Sequence, residues 1–337
     1  MKAPEEILGG NVETFMPEKA WGETSANDDK KRFVTINAVD LANKEFPPIR
    51  WTVPDILPEG LTVLAGKPKA GKSWLVLDWA VSVAHGGTAM GSVDVEGGDV
   101  LYLALEDNQR RLKGRMELMQ RYGTRPTRLA YATEAPRVNE GFVERMESWL
   151  DDYPETRLII IDTLQRIRPQ TSGNNVYKED YEAVQSLQDL AGSRNISIVI
   201  VHHTRKSDAD DIFDTISGSN GLAGSCDNLM VLAKQNEITK LCGRGRDMPD
   251  YEKAVTFDPA TCTWTIIGDA DVIASTSERQ AVLDAILDAD EPISPKDIAA
   301  MSGHNYDCVR KLLPRLIKED RVQKYSRGLY EPFKKPL

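Results

Sequence analysis

A chain of 337 residues, 41% of them hydrophobic, can fill a core and has room for two or three domains, which excludes an intrinsically disordered protein. Its 42 Lys and Arg against 52 Asp and Glu give a net charge of -10; that excludes nucleic-acid binding by overall charge and confines such contacts to local patches. Cys226, Cys242, Cys262 and Cys308 form no CxxC pair and no zinc spacing with histidine. With no basic-then-apolar leader and no apolar run near the roughly 20 residues of a membrane span, the chain reads as reduced, soluble and cytoplasmic.

Residues 1–47 begin with a polar, charged stretch lacking an apolar period up to about residue 32, and are expected to be partly disordered or a docking arm. From residue 48 to 270 short apolar runs alternate with longer helical patterns, as in a parallel sheet with crossover helices. Strands are expected at 61–65, 100–105, 158–161, 196–201, 228–233 and 255–257. Four of these are nearly continuous apolar runs, as for strands buried on both faces. The small and polar residues 270–277 read as a linker into a final unit of about sixty residues, 275–333.

The run from Leu61 through Gly66, Lys67, Pro68, Lys69, Ala70, Gly71, Lys72, Ser73 and Trp74 places GxxxxGK[ST] after an apolar strand and before a helix pattern, the context a phosphate loop requires. Glycines there let backbone N–H groups turn in around a triphosphate, and the following helix N-terminus adds a favourable dipole. Lys72 would reach the β- and γ-phosphates of ATP, and Ser73 would hold Mg²⁺. The strand LIIID ends in Asp162, which would serve the same Mg²⁺.

Hydrolysis also needs a group that orients and deprotonates water. The strand VLYLALED ends in Glu106 and Asp107; Glu106 is the candidate base, and Asp107 is expected to cap the following helix. IVIVHHT ends in His202 and His203. Strand alternation lets only one face the nucleotide, and His203 is the choice as γ-phosphate sensor. Arg244 and Arg246 lie two apart in a glycine-punctuated turn and are candidate arginine fingers, which reach across a subunit boundary and make the enzyme an oligomer.

Together LPEGLTVLAGKPKAGKS, VLYLALED with Arg110 and Arg111, LIIIDTL and VIVHHTRK resemble the RecA-type hexameric ATPases, most closely the RepA-like branch of plasmids, phages and other mobile elements, with KaiC/RadA-type and DnaB-type relatives further off. The resemblance implies nucleotide chemistry at Lys72, Ser73, Glu106 and Asp162, γ-phosphate sensing at His203, and, with a looser match, basic fingers at Arg244 and Arg246. It implies a homo-oligomer, a hexameric ring, with two channel loops that hold single-stranded DNA. Their counterparts are 165–181, with Arg166, Arg168 and Lys178, and 205–223, with Arg205 and Lys206. Asp208, Asp210, Asp211 and Asp214 make the second loop acidic.

In the last unit, residues 277–289 have helical spacing, Ser294-Pro295 with Asp297 starts a second helix, Asn305 caps a third, and a hairpin follows at Arg327-Gly328. That pattern is a winged helix-turn-helix. Residues 275–309 hold two Lys/Arg against seven Asp/Glu, whereas 310–337 hold nine against three. Arg310, Lys311, Arg315, Lys324 and Arg327 are the candidate DNA contacts on the basic half. The expected fold is thus α/β, a RecA-like P-loop NTPase core with a mainly parallel sheet plus a small C-terminal winged helix. The expected function is an ATP-hydrolysing ring motor, a helicase or translocase on single-stranded DNA that meets other replication proteins. The competing reading is an ATP-dependent DNA-binding regulator or helicase-loader-like switch.

Overall fold

The computed structural model describes Phe33 and residues 35–119, 123–169, 176–205, 209–216, 220–235 and 238–333. The chain divides into two units after Pro48. In the first, Asn37 caps the five-residue helix α1 (Ala38–Ala42), accepting from the N–H groups of Val39 and Asp40. Phe33, Ile36, Val39, Leu41 and Phe46 are all exposed there.

The second unit opens with the ribbon β1 (Trp51–Val53) and β2 (Leu57–Pro58), then β3 (Gly60–Gly66) and α2 (Lys72–His85). A second ribbon, β4 (Thr88–Ala89) and β5 (Val93–Asp94), leads to β6 (Asp99–Ala104), α3 (Gln109–Leu118), β7 (Leu129–Ala132) and α4 (Phe142–Asp152). There follow β8 (Thr156–Asp162), α5 (Leu164–Ile167), α6 (Val176–Arg194), β9 (Ser197–His203) and α7 (Asn220–Ser225). Strands β10 (Asn228–Gln235), β11 (Ile238–Gly245), β12 (Tyr251–Asp258) and β13 (Thr263–Asp269) complete the sheet.

The nine strands lie in the order β13-β12-β11-β10-β3-β9-β8-β6-β7. From β10 to β7 all neighbours are parallel, and β10 through β13 are antiparallel. The parallel strands are apolar on both faces because helices cover both. Leu75, Trp79 and Val83 of α2 pack on one face with Leu64, Leu158, Ile160, Val199 and Val201. Phe142, Met146 and Leu150 of α4 and Val184 and Leu187 of α6 pack on the other, with Val63, Ile159, Ile161, Ile198 and Ile200.

Residues 270–277 are no linker: β13 runs directly into α8 (Ala270–Leu287). Val272 and Ile273 break the small-polar pattern there. The presumed loop 165–181 includes α5 and the start of α6, and 205–223 includes a 3-10 turn (Ile212–Thr215) and the start of α7.

After α8 come α9 (Pro295–Ser302), α10 (Tyr306–Lys318) and the hairpin of β14 (Val322–Ser326) with β15 (Leu329–Pro332). Ser294 caps α9, with Pro295 in its first turn, and Asn305 caps α10 by accepting from the Cys308 N–H at 2.8 Å. Gly303 closes α9 at φ 72 and Gly328 turns the hairpin at φ 80, conformations a side chain disfavours. The helix α10 runs through Pro314. Its Val309, Leu312, Leu313 and Leu316 close a separate apolar cluster with Val282, Leu283, Ile286, Ile298 and Val322. Leu313→Ala should therefore cost about 2–5 kcal/mol, and Asn305→Ala about 1 kcal/mol, both measured by denaturant unfolding.

Candidate nucleotide site

Side-chain parity on the buried strands sorts the candidate residues by face. On β8, Leu158 and Ile160 share the α2 face, so Asp162 falls there too. On β6, Val100, Tyr102 and Ala104 share it, and Glu106 lies two residues on. On β9, Val199 and Val201 place His203 on that face, while His202 turns to the opposite one and is 7% exposed. His203 pairs in register with Gly66 at the base of the phosphate loop and is exposed. All these residues sit at the C-terminal edge of the parallel strands, where ligands of open α/β sheets bind.

The loop between β3 and α2 turns through two left-handed residues, Lys69 at φ 64 and Gly71 at φ 93. Gly71 has no alternative: a Cβ there would sit 2.6 Å from the Trp264 ring, whose indole N–H donates to Gly71 O at 3.2 Å. Gly66 is equally constrained, since its Cβ would meet Leu232 O at 2.6 Å. Lys72, 5% exposed, curls back to donate to Gly66 O at 2.8 Å and Lys67 O at 3.1 Å. Burial lowers its pKa, and Asp162 and Glu106 oppose that shift.

Asp162 is 7% exposed and accepts from Tyr102 Oη at 3.1 Å and from the Ser73 hydroxyl. Burial raises its pKa, against the pull of those two hydrogen bonds. Glu106 Oε1 accepts from Thr163 Oγ1 at 3.1 Å. Ser73, Ala104, Glu106, Asp107, Arg111, Arg115 and Asp162 enclose a cavity of about 190 Å³. On the other flank of the loop, Lys67, Lys69, Arg205 and Lys234 rim a cavity of about 350 Å³ floored by Pro68, Ile212, Val231 and Leu232.

The donor set fits Mg²⁺ with a nucleotide. A hydroxyl and one or two carboxylates beside a phosphate cradle are how that hard cation is held, with substrate phosphates and water completing the shell. The loop geometry supplies inward N–H groups at a helix N-terminus. Among the described residues no group of three or more His, Cys, Asp or Glu offers a competing metal site.

Asp107 does not cap α3, as the sequence pattern suggested. Asn108 does, accepting from the Arg111 N–H at 2.9 Å; its β-region backbone one residue later leaves Asp107 to accept from Arg111 Nε and to pair with Arg115 at 2.7 Å. Arg115 also lies over the Trp74 ring, 5.4 Å from its centroid. Sequence reasoning missed Arg115, Tyr102, Thr163 and Trp264. Arg115 had a signal, its i, i+4, i+8 spacing with Asp107 and Arg111; Trp264, 193 residues from Gly71, had none.

Arg244 and Arg246 stand apart from this cluster. Arg244 pairs with Leu229 of β10, on the face opposite α2, and Leu229 lies three residues before Leu232, the partner of Gly66. That is about 10 Å along the strand. The Arg244 guanidinium binds Asp211 at 2.7 Å and Asp250 at 2.9 Å and stacks on Phe213 at 4.3 Å. These carboxylates raise its pKa, and Arg244 in turn holds Asp211 below the usual carboxylate range. Arg246 donates to Gly224 O at 3.0 Å and pairs with Asp227 at 3.5 Å.

Of the predicted nucleic-acid contacts, Arg166 is exposed, and Arg168 donates to Gln165 at 3.1 Å. Arg205 is tied by its N–H to Thr215 O at 2.7 Å. Lys206 and the Lys178 side chain lie outside the described residues. Arg310, Lys311, Arg315, Lys324 and Arg327 are all exposed.

Residues 29–209 match the family described as AAA domain, AAA_25. Among solved structures, the chain is similar to one described as an ATPase domain, with a TM-score of 0.50 and 13% identity over 61% of this chain and 84% of that one. It is similar as well to a DnaB-like replicative helicase solved for its interactions with primase, with a TM-score of 0.50 and 13% identity over 61% of this chain. It spans 57% of that helicase chain. The sheet is accordingly that of a RecA-like ATPase, and the family match spans the phosphate loop, Glu106, Asp162 and His203 but stops before Arg244. With more than half of its length matched, the chain belongs to the AAA-domain family and is an ATP-hydrolysing enzyme.

Proposed function

We propose that the protein is an oligomeric motor that hydrolyses ATP at protomer interfaces to move along single-stranded DNA, a helicase or translocase serving replication of a plasmid, phage or other mobile element. The observation that carries this reading is the split between Lys72, Ser73, Glu106, Asp162 and His203 on one sheet face and Arg244 and Arg246 on the other. In the proposed ring these arginines serve the phosphate loop of a neighbouring copy, which a closed ring of head-to-tail contacts supplies.

In the proposed reaction, the loop N–H groups and Lys72 hold the triphosphate. Ser73 and Asp162 would hold Mg²⁺, which would supply positive charge beside the phosphates. Glu106, oriented by Thr163, takes the proton of the attacking water. His203 reads whether the γ-phosphate is present. Ribose and base extend to the apolar floor of the larger cavity. The neighbour's Arg244 and Arg246 complete charge neutralisation, Arg244 exchanging Asp211 and Asp250 for phosphate.

The C-terminal helices and hairpin, read as a winged helix, would place Arg310, Lys311, Arg315, Lys324 and Arg327 against DNA phosphates. Arg166, Arg168 and Arg205, with Lys178 and Lys206, would line the ring channel. Other replication proteins are the expected partners, in the manner of the primase that the similar DnaB-like helicase contacts.

One observation favours the second reading, an ATP-dependent DNA-binding switch. Asp211 and Asp250 already satisfy Arg244, so an exchange that happens once per assembly costs less than one per turnover.

ATP turnover measured with and without single-stranded DNA separates the two. A motor shows cooperative dependence on protein concentration and at least tenfold stimulation by DNA; a switch shows slow, DNA-insensitive turnover. Lys72→Ala should lower kcat by more than about a hundredfold. Mixing Lys72→Ala with Arg244→Ala protomers should recover activity that neither has alone, because mixed rings contain some intact interfaces. No recovery at any ratio would end the trans-arginine reading.

A further inference from the structure

Glu106 and Asp107 are adjacent carboxylates on the wall of one small cavity with Ser73 and Asp162, yet their surroundings differ. Glu106 has a neutral donor, Thr163. Asp107, 7% exposed, is gripped by two guanidiniums and receives the Asn108 N–H at 3.1 Å. The two arginines are not equivalent. Arg111 is 58% exposed and also donates to Glu106 O at 2.9 Å, so solvent screens much of its charge. Arg115, 28% exposed, is held between Asp107 and the Trp74 ring.

Trp74 is the residue after Ser73, and its ring continues through Phe257, 6.4 Å away, to Trp264 at 5.1 Å from Phe257. Arg115 is therefore held by the first turn of α2 as well as by its own carboxylate. Without it, Asp107 would present a poorly compensated negative charge to a cavity meant for a terminal phosphate.

We propose that Arg115 is a positioning residue of the ATPase site: it neutralises Asp107, so that Glu106 and Asp162 are the only carboxylates available to the metal-bound nucleotide. This rests on the nucleotide reading above and goes beyond it, since it assigns unequal roles to two adjacent carboxylates. It also makes α3 part of the site, because Arg111 and Arg115 lie one turn apart on that helix.

The test compares Arg115→Ala, Arg115→Lys and the double variant Arg115→Ala/Asp107→Asn in steady-state ATP hydrolysis with saturating Mg²⁺. Arg115→Ala should raise KM for ATP about tenfold with kcat within threefold of wild type. Arg115→Lys, which keeps the charge and the fold, should stay within threefold in KM. The double variant should return KM to within threefold of wild type, because it removes the carboxylate that Arg115 exists to neutralise. An unchanged KM in Arg115→Ala, or a double variant no better than the single one, overturns the proposal and leaves Arg115 a packing residue. If wild type shows no turnover, the ATPase reading itself has failed. The same variants are then read by affinity for a fluorescent ATP analogue with Mg²⁺, where the same tenfold loss and its rescue are expected and equal affinities overturn the proposal.

Discussion

Lys72 and Asp162 are both buried at the C-terminal edge of the sheet, and a buried charge persists only beside compensating partners. Burial pulls the lysine pKa down and the aspartate pKa up, while Asp162 and Glu106 oppose the shift of the lysine and hydrogen bonds from Ser73 and Tyr102 oppose that of Asp162. The surroundings follow from this pair. Through Val201 of β9, Asp162 at the end of β8 stands level with Leu64, two residues before the end of β3, so the sheet register has to hold across three strands. The loop must fold tightly enough for Lys72 to reach its own carbonyls, and its packing against Leu232 and Trp264 leaves no space for a side chain at Gly66 or Gly71.

Trp264 shows how the antiparallel half of the sheet serves the parallel half. It arrives on β13 at the far edge, four places from β3, yet packs on the α2 face against Gly71. The sheet twist makes such a return possible, and the result couples the N-terminus of α2 to strands that also bear Arg244.

Motif chemistry and strand positions were legible because they are local. A phosphate loop needs its glycines, lysine and serine in sequence, and a strand buried on both faces needs an unbroken apolar run. That only one of His202 and His203 can share the α2 face was legible from alternation, since period 2 is set by the pleat; it is His203. What could not be read was long-range or depended on one residue of offset. The cap position moved from Asp107 to Asn108, and with it Asp107 changed from a helix terminus to an ion-pair acceptor. Residues 270–277 read as a linker because small residues carry little period, yet Ala and Ser at helical positions cost little, and packing of α8 beside β12 and β13 decides the matter.

Two faces of one sheet impose a direction on any assembly. The phosphate loop occupies the α2 face and Arg244 the other, with β10 supplying the register between them. A protomer that gives its arginine face to one neighbour leaves its nucleotide face for the next, so the contact in the proposed ring is head-to-tail. Such contacts close only when the rotation per step divides a full turn. The Arg244 ion pairs bear on that rotation: Asp211 belongs to the segment after β9, next to the residues that flank the cationic cavity, and Asp250 to the β11–β12 turn. A guanidinium that must leave both partners before it meets a phosphate links the geometry of the interface to the conformation of that segment. In the proposed ring, nucleotide occupancy in one protomer would thereby reach the loops of its neighbour through a change of ion-pair partner.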